Sequence, residues 1–266
     1  MKKAIWPMNL CALACWTAMA VMLVSGVGCA KREKITEFEQ LKDKEFAVPS
    51  GTVADQLVLS RFPDAKFKYF NTVLDCCIAV KSGKADAAAY DEPILRGIAA
   101  QTPGLRVMSE MITVDQYGFA VRPDESRLKE AMDAVISEAR ADGTYDEMMR
   151  RWLPEEGAPA AMPEFSLDGS NGTLRFGTSA VTEPFSFVDK DRNVVGLDIE
   201  FAQRIAQRLG MDLEIVNMEF GGMIPALISG KVDIIGACIT ITPERAERVL
   251  FSEPYYTGGI AALVRE

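Results

Sequence analysis

One short string occurs twice in this chain, as Ser82-Gly83-Lys84-Ala85-Asp86 in the early half and as Ser229-Gly230-Lys231-Val232-Asp233 in the late half. Each copy follows a stretch with helical spacing. Each leads into a run with few polar groups, Ala85 to Tyr90 or Val232 to Cys238, of the kind that forms a strand of a buried parallel sheet. A helix, a glycine turn and a buried strand, present once per half, describe two similar α/β lobes rather than a stacked repeat array. Beyond each strand the chain delivers polar residues: Asp91 after the first, Thr240 and Arg245 after the second.

In the late copy Thr242 is placed as a helix N-cap, Pro243 suits the first helical position, and Arg245 follows at the carboxyl end of the strand, where open α/β sheets bind ligands. A guanidinium fork beside free backbone N–H groups suits a carboxylate. The same spacing also fits a surface ion pair of Arg245 with Glu244 or Glu247. In the early copy a strand over Glu45 to Pro49 leads into Ser50-Gly51-Thr52. Thr52 and Asp55 have capping-box spacing, which predicts a helix over 53–61. A strand over 65–70, a helix over 73–81 and the small-residue strand ending at Asp91 follow. Asp91 reads either as a helix cap or as a carboxylate facing a site.

Lys plus Arg number 29 against 38 Asp plus Glu, and histidine is absent, which argues against a nucleic-acid surface. Residues 1–29 read as a targeting segment: Lys2 and Lys3 precede an apolar stretch that ends in Ser-Gly-Val-Gly-Cys. Small residues before Cys29 resemble a bacterial lipoprotein processing site, with Gly26 in place of the usual larger aliphatic. A plain signal peptide or an uncleaved anchor helix is the other reading. Cys76, Cys77 and Cys238 then remain, which make neither a disulfide framework nor a zinc pattern, so small buried hydrophobes are expected and no metal or cofactor. Residues 155–172, rich in Pro, Ala, Gly and Ser, read as a linker.

The tracts GGMIPALISGKVDIIGACITITPER and FSEPYY, with LRFGTSAVTEPFSF and VVGLDIEFAQRIAQRLG upstream, resemble the first part of the bacterial extracellular solute-binding proteins of family 3, the polar amino acid receptors of ABC importers. LKDKEFAVPSGT, SGKADAAAYDEP and DQYGFAVRPDE resemble the second lobe of the same family, and ADGTYDEMMRRWLP its closing helices. Nearly every element is present once, in reversed order. The resemblance therefore implies a circularly permuted, two-lobed type II periplasmic binding protein (Venus-flytrap), α/β, each lobe a mostly parallel sheet flanked by helices. Its parts are a second ligand-binding lobe with a hinge strand over 30–122, closing helices of the first lobe over 123–154, the linker, and the first lobe ending in a hinge strand over 173–266. Two half-domains swapped between copies are the competing arrangement to a monomer.

The resemblance further implies a cleft for an amino acid. Arg245 clamps the α-carboxylate with help from Thr240 and from Thr52 of the other lobe, Asp91 accepts the α-ammonium, Cys238 offers its carbonyl, and Phe220 flanks the side chain. Two positions depart from many relatives: Ser179 stands where they carry an acid and Thr182 where they carry an aromatic ring. Loss of the acid argues against a cationic ligand and favours a small polar amino acid. The function implied is capture of such a solute in the periplasm or at the cell surface, on a lipid anchor, for an ABC permease and without catalysis. A prephenate or arogenate dehydratase on the same fold and a ligand sensor are the alternatives.

Overall fold

The computed structural model describes residues 34–154 and 159–266, so the readings made for residues 1–29 and for lipidation of Cys29 lie outside the described residues. In the early half β1 (Glu45–Pro49), α1 (Ala54–Arg61), β2 (Lys66–Phe70), α2 (Val73–Lys81), β3 (Ala87–Asp91), α3 (Glu92–Gln101) and β4 (Leu105–Met111) alternate. The chain then passes through β5 (Asp115–Tyr117) and β6 (Ala120–Val121) into helices α4 (Ser126–Asp142) and α5 (Thr144–Trp152). The late half supplies β7 (Thr173–Thr178), β8 (Val181–Thr182), β9 (Ser186–Val188), β10 (Val194–Val195), α6 (Leu197–Leu209), β11 (Asp212–Asn217), α7 (Met223–Ile228), β12 (Ile234–Ile235), α8 (Pro243–Ala246), β13 (Leu250–Phe251), β14 (Tyr256–Gly258) and β15 (Ile260–Arg265).

Two five-stranded sheets result, ordered β2-β1-β3-β15-β4 and β11-β7-β12-β6-β13. They match position for position. In each, three parallel strands are followed by one antiparallel strand and then a fifth. The antiparallel member is the exchanged one: β15 comes from the late half and completes the early sheet, while β6 comes from the early half and completes the late sheet. The two crossings, β5 and β14, pair antiparallel as a hinge ribbon with Tyr117 opposite Tyr256. This moves the lobe boundaries read from the sequence by one strand each. Residues 120–121 belong to the late lobe and 260–265 to the early lobe, a swap that linear adjacency does not reveal.

Local chemistry explains most elements. The five residues of β3, three alanines followed by Tyr90 and Asp91, are all buried, as a central strand covered on both faces requires. Thr72 caps α2 by accepting the Asp75 amide, and Thr242 caps α8 by accepting the Arg245 amide. At Thr52 the expected capping box does not form. Its hydroxyl donates back to the Pro49 carbonyl at 2.9 Å, and α1 starts at Ala54 without a side-chain cap. The strand expected over 232–238 shrinks to Ile234–Ile235. The rings of Phe119 and Phe176 fill the space beside Gly236, and the backbone turns left-handed at Cys238.

The closing helices dock on α6 through a buried charge. Glu200 is fully buried and accepts from Arg151 at 2.7 Å, Trp152 Nε1 at 2.7 Å and Arg204 at 2.7 Å, so its charge is paired and its oxygens are satisfied. The described part of the linker lies on the body of the protein: the Ala160 amide donates to the Arg151 carbonyl, and the Phe165 ring sits 5.4 Å from the Arg204 guanidinium carbon.

Candidate functional site

The two lobes meet at a glycine on each side. A Cβ placed on Gly51 would lie 3.1 Å from the Gly221 Cα, so backbone rests on backbone there with no room for a side chain on Gly51. Beside this contact lies a cavity of about 240 Å³, walled by Thr52, Val53 and Gln56 of the early lobe and by Phe220, Met223 and Arg245 of the late lobe. A pocket walled from both lobes is of the kind that shuts around its occupant.

Arg245 is the buried cation of this cavity, which Arg248 and Glu244 also line. It is 9% exposed, its Nη1 donates to the Thr240 carbonyl at 2.9 Å, and its guanidinium carbon stands 5.5 Å from the centre of the Phe220 ring. Among the described residues it forms no ion pair with Glu244, Glu247 or any other acid. The surface ion-pair alternative is thereby excluded. Burial holds its pKa below the usual guanidinium value, countered by Tyr90, Asp91 and Cys238 close by. A buried planar cation with one carbonyl partner and an aromatic floor keeps further N–H donors for an anion.

Asp91 ends β3 and is 4% exposed. It is the N-cap residue of α3, yet its side chain makes no cap bond, which removes the helix-cap reading. The Tyr117 hydroxyl donates to Oδ1, and Cys238 Sγ lies 3.8 Å from Oδ2, a contact from the other lobe. Burial pushes the Asp91 pKa up to about 7, opposed by the Tyr117 and Cys238 hydrogen bonds. Asp91 thus has no cationic partner among the described residues, in a place where a cation would be strongly favoured.

The remaining predicted residues divide. Thr52, Phe220 and Arg245 line the cavity, and the Thr240 carbonyl anchors Arg245. Cys238 is 3% exposed and stands between Asp91 and Asp198, its amide donating to Asp198 Oδ2 at 3.0 Å. Asp91 and Cys238 do not line the cavity, and neither do Ser179 and Thr182. The latter two are buried in their own loop, where the Thr182 hydroxyl donates to the Ser179 and Ser186 carbonyls at 3.1 and 3.2 Å. Sequence reasoning missed Tyr117, whose signal was its place in the hinge tract DQYGF, and Asp198. An acid one residue into a helix reads as a favourable first-turn charge, and only its complete burial marks it as something else.

Residues 174–266 match the profile of the bacterial extracellular solute-binding proteins, family 3. Similar proteins include ABC transporter arginine-binding protein 1 of Escherichia coli K12, 29% identical over 49% of this chain and 56% of that one. The glutamine-binding protein GlnH of Bacillus subtilis 168 is 30% identical over 48% of this chain and 47% of its own. The L-cystine-binding protein TcyJ of E. coli K12 is 37% identical over 36% of each. The chain therefore spans about half the length, or less, of the curated relatives it matches. Among solved structures, the arginine-bound form of domain 1 from TmArgBP is 45% identical over 36% of this chain and 82% of that chain, with a TM-score of 0.33.

Proposed function

We propose that the protein is an extracytoplasmic solute-binding receptor that closes its two lobes around an amino acid and passes it to an ABC importer, without turning it over. The observation that carries this reading is the pair of buried, mutually unbonded opposite charges, Arg245 on the late lobe and Asp91 on the early lobe. A zwitterion supplies each with its partner: its carboxylate satisfies Arg245, and its ammonium satisfies Asp91. Binding then favours the shut state because only that state presents both charges at once. The relatives named for arginine, glutamine and cystine support an amino acid as the solute.

Ser179, in place of an acid, supplies no countercharge for a cationic side chain, so a neutral polar amino acid such as glutamine is the ligand we favour. The receptor works as a monomer at the periplasmic or outer face of the membrane, tethered by a lipid on Cys29. The two halves form one circularly permuted receptor, with residues 173–258, β6 and the closing helices as the first lobe and residues 34–111 with β15 as the second. No described helix is long and apolar enough to cross a membrane, so the permease is a separate chain in this reading. A thermal-shift screen of the twenty amino acids tests it. One or a few neutral polar members will raise the melting temperature, and Arg245→Ala will abolish the shift. No response to any amino acid, or a response that survives Arg245→Ala, overturns the reading.

A further inference from the structure

Cys238 occupies a backbone conformation that glycine adopts freely and a residue with a Cβ adopts rarely, with φ at 44°. It does so where β12 has ended and the chain turns toward Thr240 and Arg245. Such a residue persists only if its surroundings hold it. The holding contact comes from α6: Asp198, fully buried one residue inside that helix, accepts the Cys238 amide on Oδ2 at 3.0 Å. Its other oxygen makes no hydrogen bond of regular geometry and faces the hydroxyl of neighbouring Tyr255, whose interaction opposes the rise that burial gives the Asp198 pKa. A carboxyl group is an expensive acceptor to bury half-satisfied, more so than a neutral amide or hydroxyl.

On the cleft side Cys238 Sγ reaches Asp91 Oδ2 across the lobes, and two residues on, the Thr240 carbonyl receives Arg245. We propose that Asp198 is a positioning residue of the cleft: by fixing the Cys238 amide it sets the left-handed turn that presents Cys238 to Asp91 and carries Thr240 into place under Arg245. Its effect on affinity rests on the solute-binding reading. Its effect on the turn does not.

Two measurements on the full chain test this. The first follows iodoacetamide alkylation of Cys76, Cys77 and Cys238 by peptide mass spectrometry, without ligand. Asp198→Ala will speed reaction at Cys238 by roughly five- to thirty-fold, the range that loss of one such contact produces. Cys76 and Cys77, buried in the early lobe on α2, will not change. Asp198→Asn, which keeps an acceptor oxygen for the amide, will restore the slow rate.

The second measures L-glutamine and L-arginine affinity. The loss caused by Asp198→Ala will be smaller in a Cys238→Gly background, because glycine makes the turn unaided. Unchanged alkylation of Cys238, equal acceleration at all three cysteines, or failure of Asp198→Asn to restore protection overturns the proposal. If Asp198→Ala does not fold alone, Cys238→Gly must restore folding to it, and failure to do so also overturns the proposal. If neither amino acid binds the unaltered protein, the choice of ligand falls while the alkylation result still decides the role of Asp198.

Discussion

At the scale of single residues, the cleft is defined by charges that burial leaves short of partners. Arg245→Ala removes the group proposed to take the α-carboxylate, and the loss is expected to be about 2 to 5 kcal/mol in calorimetric titration with the ligand found by screening. Arg245→Lys will recover only part of it, since an ammonium lacks the planar fork. The second prediction concerns pH. Asp91 has a pKa of about 7 in the free protein, and a bound ammonium favours its charged form, so its pKa in the complex lies lower. Affinity is then full above about pH 7 and weakens as pH falls through 7, by at most about ten-fold per unit. Titrations at two pH values on either side of 7 check the sign, and Asp91→Asn will flatten the profile as well as weaken binding.

The same two buried acids set a third expectation, with the opposite direction. Asp91 and Asp198 have folded pKa values of about 7 against 3.8 for an unperturbed group. Between those values the folded protein holds protons that the unfolded chain has released. Stability of the ligand-free protein therefore falls as pH rises through that window, by up to about 1.4 kcal/mol per unit and group, and levels off above about pH 7. Melting temperatures measured without ligand will be higher at pH 5 than at pH 8. Asp198→Asn, which has no charge to bury, will reduce the difference.

At the scale of elements, closure depends on the bare backbone where the loop before α1 meets the turn before α7. Gly221 has ordinary room for a Cβ, 3.7 Å from the Gly51 Cα, so a large ring there is set against the other lobe. Gly221→Phe is expected to leave each sheet intact and to wedge the cleft open. Small-angle scattering will show a larger radius of gyration that ligand no longer reduces, and affinity will drop. Much of this level was legible in the sequence. The paired Ser-Gly-Lys strings marked two like lobes because glycine turns and alternation of helix with buried strand are local properties. Asp91 could be placed at a strand end and Arg245 in a capped helix beyond one for the same reason.

Three element-level features were not legible, and the cause in each is long-range packing. The strand before Cys238 ends early because rings from residues 119 and 176 occupy the volume beside Gly236. Thr52 donates its hydroxyl back to the Pro49 carbonyl and accepts only the Ala54 amide at 3.4 Å, so the expected capping box with Asp55 does not form. Thr182 was given to the ligand, but its hydroxyl is consumed by carbonyls of its own loop. Capping and site patterns describe what a side chain could bond. The tertiary structure decides which acceptor is nearer.

For the whole molecule, the exchanged strands make chain order nearly irrelevant to the packed object. β15 is held between β3 and β4, and its last residues sit where the early sheet begins. Val264 pairs with Arg106, whose Nη2 donates to the Ile35 carbonyl at 2.8 Å, and the Glu266 amide donates to the Gly104 carbonyl. The far end of β15 and the first described residues thus share one arginine, and a flexible linker cut to the gap can join them. They meet at the end of β15 remote from the hinge ribbon. A chain that begins at Thr173, runs through Glu266 and such a linker into Lys34, and stops after Trp152 keeps every strand pairing and the Glu200 contact with the closing helices. It is expected to melt within a few degrees of the present order and to bind the same amino acid with the same affinity, because burial and charge pairing, not connectivity, set both. Native mass spectrometry of both orders will show monomers. A reordered chain that folds only as a dimer would mean that the halves find each other between copies, and the permuted single receptor would then be the wrong description.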